Sequence, residues 1–174
     1  MNQAEHQAEL RLLGVNAEVE ELKDLTSIRQ VSLQLASQAR KHLSIFTPDL
    51  EPALYDQQAF LDALTRLAIS SARAQIRVLL LDHDTAVTQG HRLIELARRL
   101  TSRIEIRCPG EDFKDEGMNF LLADGLGYVY REPGRPHQAR ACFNQPRETQ
   151  RLQSYFDAIW ETGVPDSELR RLYL

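Results

Sequence analysis

Three polar side chains in the second half of the chain could bind a ligand. Asn119 and Asp124 lie in Gly-Met-Asn-Phe-Leu-Leu-Ala-Asp at 117–124, and Asn144 ends the stretch Ala-Cys-Phe-Asn. An asparagine amide can donate and accept hydrogen bonds, and an aspartate carboxylate can accept them. Two ordinary roles stay open, because an Asp-Gly pair is itself a hairpin turn signal and Asn144 can cap the helix that follows it.

Two histidines could supply a nucleophile or a base. His83 stands between Asp82 and Asp84 after an apolar stretch, and α/β proteins bind ligands where strands end. Asp82 and Asp84 beside a histidine could in principle bind a metal ion. However, alternate residues at a strand end need not point to the same place, and Asp84 is equally a helix cap. We therefore predict neither a metal site nor a cofactor. His137 follows Pro-Gly-Arg-Pro. It either reaches over a pocket formed by the three polar residues or is an ordinary exposed loop residue.

The elements that must position these residues alternate between helix and strand. Residues 76–82 form a continuous apolar run, as in a central strand covered on both faces. Residues 118–124 and 127–132 flank the Asp-Gly pair as the two strands of a hairpin. Pro146 begins a long helix that Gly163 ends. This order predicts an α/β fold, with a mixed, mostly parallel sheet and helices on both faces.

The chain is expected to form a single domain. Residues 1–24 would be an N-terminal helix or tail with a first strand, and residues 25–174 the α/β domain itself. Thr26 or Ser27 is expected to cap the first long helix and Asp56 the second. A third helix is expected to start at Asp84 or Thr85 and to carry Leu93, Leu96, Ala97 and Leu100 on one side. A last short helix would open at Asp166.

Composition limits the classes of function. The 174 residues carry a net charge of −4 with a pI near 5.7, which argues against non-specific binding to nucleic acid or anionic membranes but leaves a local basic patch open. The two cysteines form no zinc pattern and suit a reducing compartment. Because we find neither a signal peptide nor an apolar run of about 20 residues, we expect a cytoplasmic protein without membrane association.

The second half of the chain resembles the phospholipase D superfamily, whose motifs are His-x-Lys-x4-Asp and Gly-Ser-x-Asn. In this alignment Gly117 falls on the histidine, Asn119 on the lysine, Asp124 on the aspartate and Asn144 on the second-motif asparagine. In that family the histidine attacks phosphorus, while the lysine and asparagine hold the phosphate. The resemblance therefore implies a phospholipase D-like half-domain that keeps the fold and has lost the nucleophile.

The resemblance covers roughly residues 25–170, and it extends to a bacterial domain of unknown function found alone or after acetyltransferase modules. It implies a non-catalytic, regulatory module that binds a protein partner or a small anionic ligand. The alternative is a phosphodiesterase or nuclease that uses His137 or His83. Because active family members join two half-domains around one pocket, a single half is expected to pair as a homodimer.

Overall fold

In a computed structural model of the chain, residues 10–115 and 117–165 are described. They form one eight-stranded sheet and six α-helices. The strands are β1 (Glu20–Leu22), β2 (His42–Thr47), β3 (Gln75–Leu80), β4 (Ile104–Cys108), β5 (Asn119–Ala123), β6 (Gly127–Arg131), β7 (Ala139–Cys142) and β8 (Val164–Pro165). The helices are α1 (Leu25–Gln38), α2 (Pro52–Tyr55), α3 (Gln58–Ser70), α4 (His83–Thr88), α5 (Arg92–Arg99) and α6 (Pro146–Thr162).

The sheet is mixed, as predicted, in the order β1-β7-β6-β5-β2-β3-β4-β8. Only the β2–β3 and β3–β4 pairings are parallel, whereas β5, β6 and β7 follow one another as antiparallel neighbours. The parallel part is therefore smaller than expected. The physical reason is the connections: helices join β2, β3 and β4, whereas tight turns and short loops join β5, β6 and β7.

Helices cover both faces of the sheet, which confirms the predicted layering. The helices α1 to α5 and the inward side chains of the central strands, such as Ile45 and Val78, form one core. The second core lies under α6, where Phe156 and Trp160 stack with ring centroids 5.6 Å apart. Phe120 of β5 meets Phe156 edge-on at 6.4 Å, so the strand that carries Asn119 is held from the α6 side.

The helix starts differ in detail from the sequence prediction. Asp24, rather than Thr26 or Ser27, caps α1, because its Oδ1 accepts the Ser27 amide at 2.8 Å. The second long helix begins at Gln58, and Asp56 instead accepts a hydrogen bond from the side chain of Arg92 at 2.6 Å.

The third predicted helix is two helices. Gly90, with φ +65°, turns the chain between α4 and α5. His91 then caps α5, because its Nδ1 accepts the Leu93 amide at 3.1 Å. The helix from Pro146 ends before Gly163 as predicted. The predicted N-terminal helix lies largely outside the described residues, and the helix from Asp166 lies wholly outside them.

Candidate functional site at the carboxyl ends of the parallel strands

The three predicted pocket residues do not meet. Asn119 is the first residue of β5 and Asp124 follows its last, so about 17 Å of extended chain separates them. Asn144 follows β7, which runs in the same direction as β5 with β6 between them. Asn144 therefore lies at the sheet edge that carries Asp124, and Asn119 lies alone at the other edge.

Asp124 holds the backbone at the start of β2. Its carboxylate accepts the amides of Arg40, Lys41 and His42 at 2.8, 2.9 and 2.8 Å. Its own amide donates to the His42 carbonyl at 2.9 Å. With φ +54° it also makes the left-handed turn that leads through Gly125 into β6. These contacts give Asp124 a structural role, in keeping with the turn explanation left open by the sequence.

The edge where Asn119 lies is formed by the carboxyl ends of β2, β3 and β4 and the amino end of β5, and we call it the carboxyl-end edge. Asn119 pairs in register with Arg131, the last residue of β6. Only 4% of the Arg131 side chain is exposed. Its Nη1 donates to Glu51 Oε2 at 2.6 Å, and its Nη2 donates to the Pro136 carbonyl. A buried ion pair therefore lies beside Asn119, the residue that the motif alignment places on the lysine.

The sequence did not single out Arg131 or Glu51. Arg131 reads as the ordinary end of a strand, and Glu51 lies 80 residues earlier in an unremarkable loop. The one local signal is the Pro-Gly-Arg-Pro stretch at 133–136, in the loop between β6 and β7 that folds back on the end of β6. Only the antiparallel pairing of β5 with β2 brings the two loops together.

Gly117, which the motif alignment places on the histidine, has little room for a side chain. A Cβ built on Gly117 would lie 3.0 Å from the Cβ of Pro133, which is tighter than most Cβ contacts. A side chain at this position would therefore require Pro133 to move by a few tenths of an ångström. Gly117 suits this close approach because it has no side chain.

The surroundings of the ion pair favour neutral forms of the neighbouring acids. Burial, and then the negative charge of Glu51, raises the pKa of Asp49, while Arg131 opposes the shift. Burial also raises the pKa of the Tyr55 phenol, which is 2% exposed. The Arg131 charge is thus already balanced within the chain.

The Asp82-His83-Asp84 stretch is not a ligand cluster. Asp82 caps α4, accepting the amide and hydroxyl of Thr85 at 3.0 and 2.6 Å, and these bonds lower the pKa of its carboxyl. The Asp84 side chain is fully exposed, so the cap is Asp82 and not Asp84. His83 is 6% exposed. Among residues 10–115 and 117–165 no group of three His, Cys, Asp or Glu side chains is arranged to hold a metal ion.

His137 is exposed in the loop between β6 and β7. It follows Pro136, whose carbonyl accepts the Arg131 hydrogen bond, so its backbone is anchored at the carboxyl-end edge. Its side chain is open to solvent there.

The carboxyl-end edge is predominantly acidic. The cations Lys114, Arg131 and Arg135 pair with Glu111, Glu51 and Glu132. The acidic residues at this edge are Asp49, Glu51, Asp82, Asp84, Glu111, Asp112, Asp115 and Glu132. Such a field repels a negatively charged substrate.

The fold is shared with solved structures of very different sequence. Nuc from Salmonella typhimurium, a phospholipase D family member, aligns with a TM-score of 0.65 and 12% identity over 86% of this chain and 97% of that one. NucT from Helicobacter pylori gives 0.58 and 11% over 86% and 100%. TrmBL2, an archaeal chromatin protein, gives 0.64 and 10% over 94% of this chain, which spans 57% of the TrmBL2 chain.

The topology and these likenesses define a protein with a phospholipase D-like fold, which confirms the predicted fold class. Residues 24–172 match the family described as a domain of unknown function, DUF7931, and the chain belongs to that family. No curated protein matches the sequence. Within the described part of the chain, the helices are too short or too polar to cross a membrane.

Proposed function

We propose that this chain is a non-catalytic domain with a phospholipase D-like fold, which acts as a regulatory module by binding a partner. The observation that carries the proposal is the state of the carboxyl-end edge. In the motif alignment, Gly117 and Asn119 take the positions of the histidine and lysine. Pro133 packs at 3.0 Å from the position of a Gly117 Cβ, and the Arg131–Glu51 pair lies alongside.

The charge distribution supports the same proposal. A phosphodiester needs cations that are free to stabilise charge in the transition state. At this edge Arg131 is already paired with Glu51, and Asp49 lies close enough to interact with both. A protein partner therefore suits the edge better than a small anionic ligand, because nothing among its described cations is left unpaired for an anion.

The competing function is a phosphodiesterase or nuclease with a displaced histidine. His137 is the better placed of the two candidates, because it is exposed and its loop is anchored to Arg131. His83 is buried at the start of α4. Hydrolysis of bis(p-nitrophenyl) phosphate, single-stranded DNA and phosphatidylcholine vesicles distinguishes the two functions.

We expect no hydrolysis above the buffer rate by the wild type or by His137→Ala and His83→Ala. Hydrolysis that copurifies with the wild type and disappears in one histidine variant would overturn the proposal. Activity that persists equally in both variants indicates a contaminant, which a second, orthogonal purification step removes.

We also propose that the chain pairs as a two-fold homodimer, as the single half-domain implies. Multi-angle light scattering at micromolar concentration measures the mass directly, and a mass near the 19.9 kDa of one chain would contradict the pairing.

A further inference from the structure

The sheet edge opposite the candidate site carries a concentration of positive charge. We call it the amino-end edge, formed where the chain enters β2, β3 and β4. Arg40 and Lys41 precede β2, Arg73 precedes β3 and Arg103 precedes β4. Arg40, Lys41 and Arg73 are exposed, and Arg103 is half-buried.

These cations lie on three adjacent strands. The Gln75 amide donates to the Lys41 carbonyl at 2.9 Å, and the Ile76 amide donates to the Arg103 carbonyl at 2.8 Å. Neighbouring strands are about 4.8 Å apart, so the three entries span about 10 Å. Because Asp124 holds the amides of Arg40 and Lys41, the backbone that presents two of the charges is fixed.

Their charge is not balanced locally. Among the described residues, no carboxylate lies within ion-pairing distance of Arg40, Lys41, Arg73 or Arg103. The Asp124 carboxylate, which lies at this edge, is occupied by three backbone amides. Glu105 and Glu161 line the same cleft as Arg103, and Glu105 pairs with Arg107. Although the net charge is −4, acidic residues collect at the carboxyl-end edge and unpaired cations at the amino-end edge.

Helix ends do not explain these cations. The helices α1, α3 and α5 all end at this edge, and basic residues near a helix carboxyl end stabilise it. However, α1 and α3 have no basic residue in their last turn. In α5 that place is taken by Arg98 and Arg99, not by Arg103.

We propose that the amino-end edge binds the phosphate backbone of duplex nucleic acid without reading its sequence. Small polar residues lie between the cations, and such groups donate hydrogen bonds to phosphate oxygens. They are Ser71, Gln75, Thr101 and Ser102. No large apolar side chain is exposed among residues 40–42, 71–75 and 101–103, and the exposed Ile69 near the end of α3 is a single side chain. The centre of a protein interface is instead a contiguous apolar area. This surface is separate from the candidate site.

The test is fluorescence anisotropy with a labelled 25-base-pair duplex of arbitrary sequence, titrated with the full chain between 20 and 200 mM salt. We expect binding that weakens with salt, with a log–log slope of about −3 to −4 for three to four phosphate contacts. A second duplex of unrelated sequence should bind equally.

The variant Lys41→Gln/Arg73→Gln/Arg103→Gln removes one charge from each strand entry. We expect at least a tenfold loss of affinity at 50 mM salt. The magnitude of the log–log slope of affinity against salt should fall by about 3. The matched control is Lys23→Gln/Lys114→Gln/Arg135→Gln, which makes the same charge change away from the amino-end edge. If the triple variant is poorly folded, Lys41→Gln alone should reduce the slope by about 1.

Three results would overturn the proposal. The first would be a failure of the wild type to bind duplex DNA at 20 mM salt. The second would be a control triple variant that weakens binding as much as the test variant does. The third is binding of labelled poly-L-glutamate without binding of DNA, which would assign the surface to an acidic protein instead.

Discussion

The guanidinium of Arg131 lies 2.6 Å from the carboxylate of Glu51, with 4% of the arginine side chain and 25% of the glutamate exposed. The pair joins the loop after β2 to the end of β6, and the Pro136 carbonyl takes a further arginine hydrogen bond. Two loops that would border an open pocket are therefore held by a charge pair within the chain.

Removing the glutamate should cost more stability than removing the arginine. Glu51→Gln leaves a buried guanidinium without a counter-charge. Because 25% of the Glu51 side chain is exposed, water partly reaches the pair. We therefore expect the free energy of unfolding to fall by about 2–3 kcal/mol, below the usual range for fully buried pairs. Arg131→Met leaves only the partly solvated carboxylate and should cost less. Urea unfolding monitored by circular dichroism measures both changes.

The double variant Glu51→Gln/Arg131→Met completes the cycle. It should be more stable than Glu51→Gln alone, because neither charge is then left without a partner. Additive losses would show that the two side chains act independently.

Asp124 should be required for stability. Asp124→Gly keeps the left-handed backbone but leaves three amides without an acceptor, and we expect a loss of about 2–4 kcal/mol. Asp124→Asn tolerates the same backbone and keeps one oxygen, so its loss should be about half as large. Thermal unfolding ranks the two variants, and equal stability of Asp124→Gly and wild type would contradict the role of the carboxylate.

Gly127 should not tolerate a side chain. A Cβ there would lie 2.8 Å from Leu13 Cδ1 and 2.9 Å from both the Cys142 carbonyl oxygen and Leu35 Cδ2. We expect Gly127→Ala to destabilise the fold by about 1–3 kcal/mol, as overpacking does. Gly125→Asn is the matched control, because its Cβ position is open and asparagine accepts φ +70°. Denaturant midpoints should separate the two.

Stability should fall below pH 6.5 because of His91. Burial lowers the pKa of this imidazole in the folded chain, so the protonated form is disfavoured there. The contribution of neutral His91 to stability is fully present above pH 6.5, the pKa of the unfolded chain. It is lost as the pH falls through the lower pKa of the folded chain. Protonation of Nδ1 also removes the acceptor for the Leu93 amide.

His91→Asn tests this directly, because asparagine caps a helix without titrating near neutral pH. Between pH 7.5 and 5.5 the wild type should lose up to about 1.4 kcal/mol more than the variant. An identical pH profile for both would assign the acid sensitivity to other groups.

Local signals were enough to predict much of the fold. The apolar run of β3, the Asp-Gly turn between β5 and β6, and the Pro146 to Gly163 helix are each specified by a few neighbouring residues. The antiparallel pairing of β5 with β2 is not, because it joins residues about 80 positions apart. The break at Gly90 was missed because the apolar pattern of one helix continues into the next.

The candidate site was harder to predict for the same reason. Asn119 and Asp124 are close in sequence, but an extended strand separates them, and β7 carries Asn144 to the edge away from Asn119. Arg131 and Glu51 become neighbours only through the sheet. A motif alignment compares positions along the chain, whereas a pocket depends on which strand ends face the same way.

The three amides gathered by Asp124 have a consequence for how such a chain can diverge. A histidine or lysine used only for a reaction can be replaced without unfolding the protein, in either order and in small steps. A carboxylate that holds the backbone at the start of a central strand cannot be replaced without a loss of stability. An aspartate in this position therefore reports a requirement of the fold, and it says nothing about whether the molecule turns over a substrate.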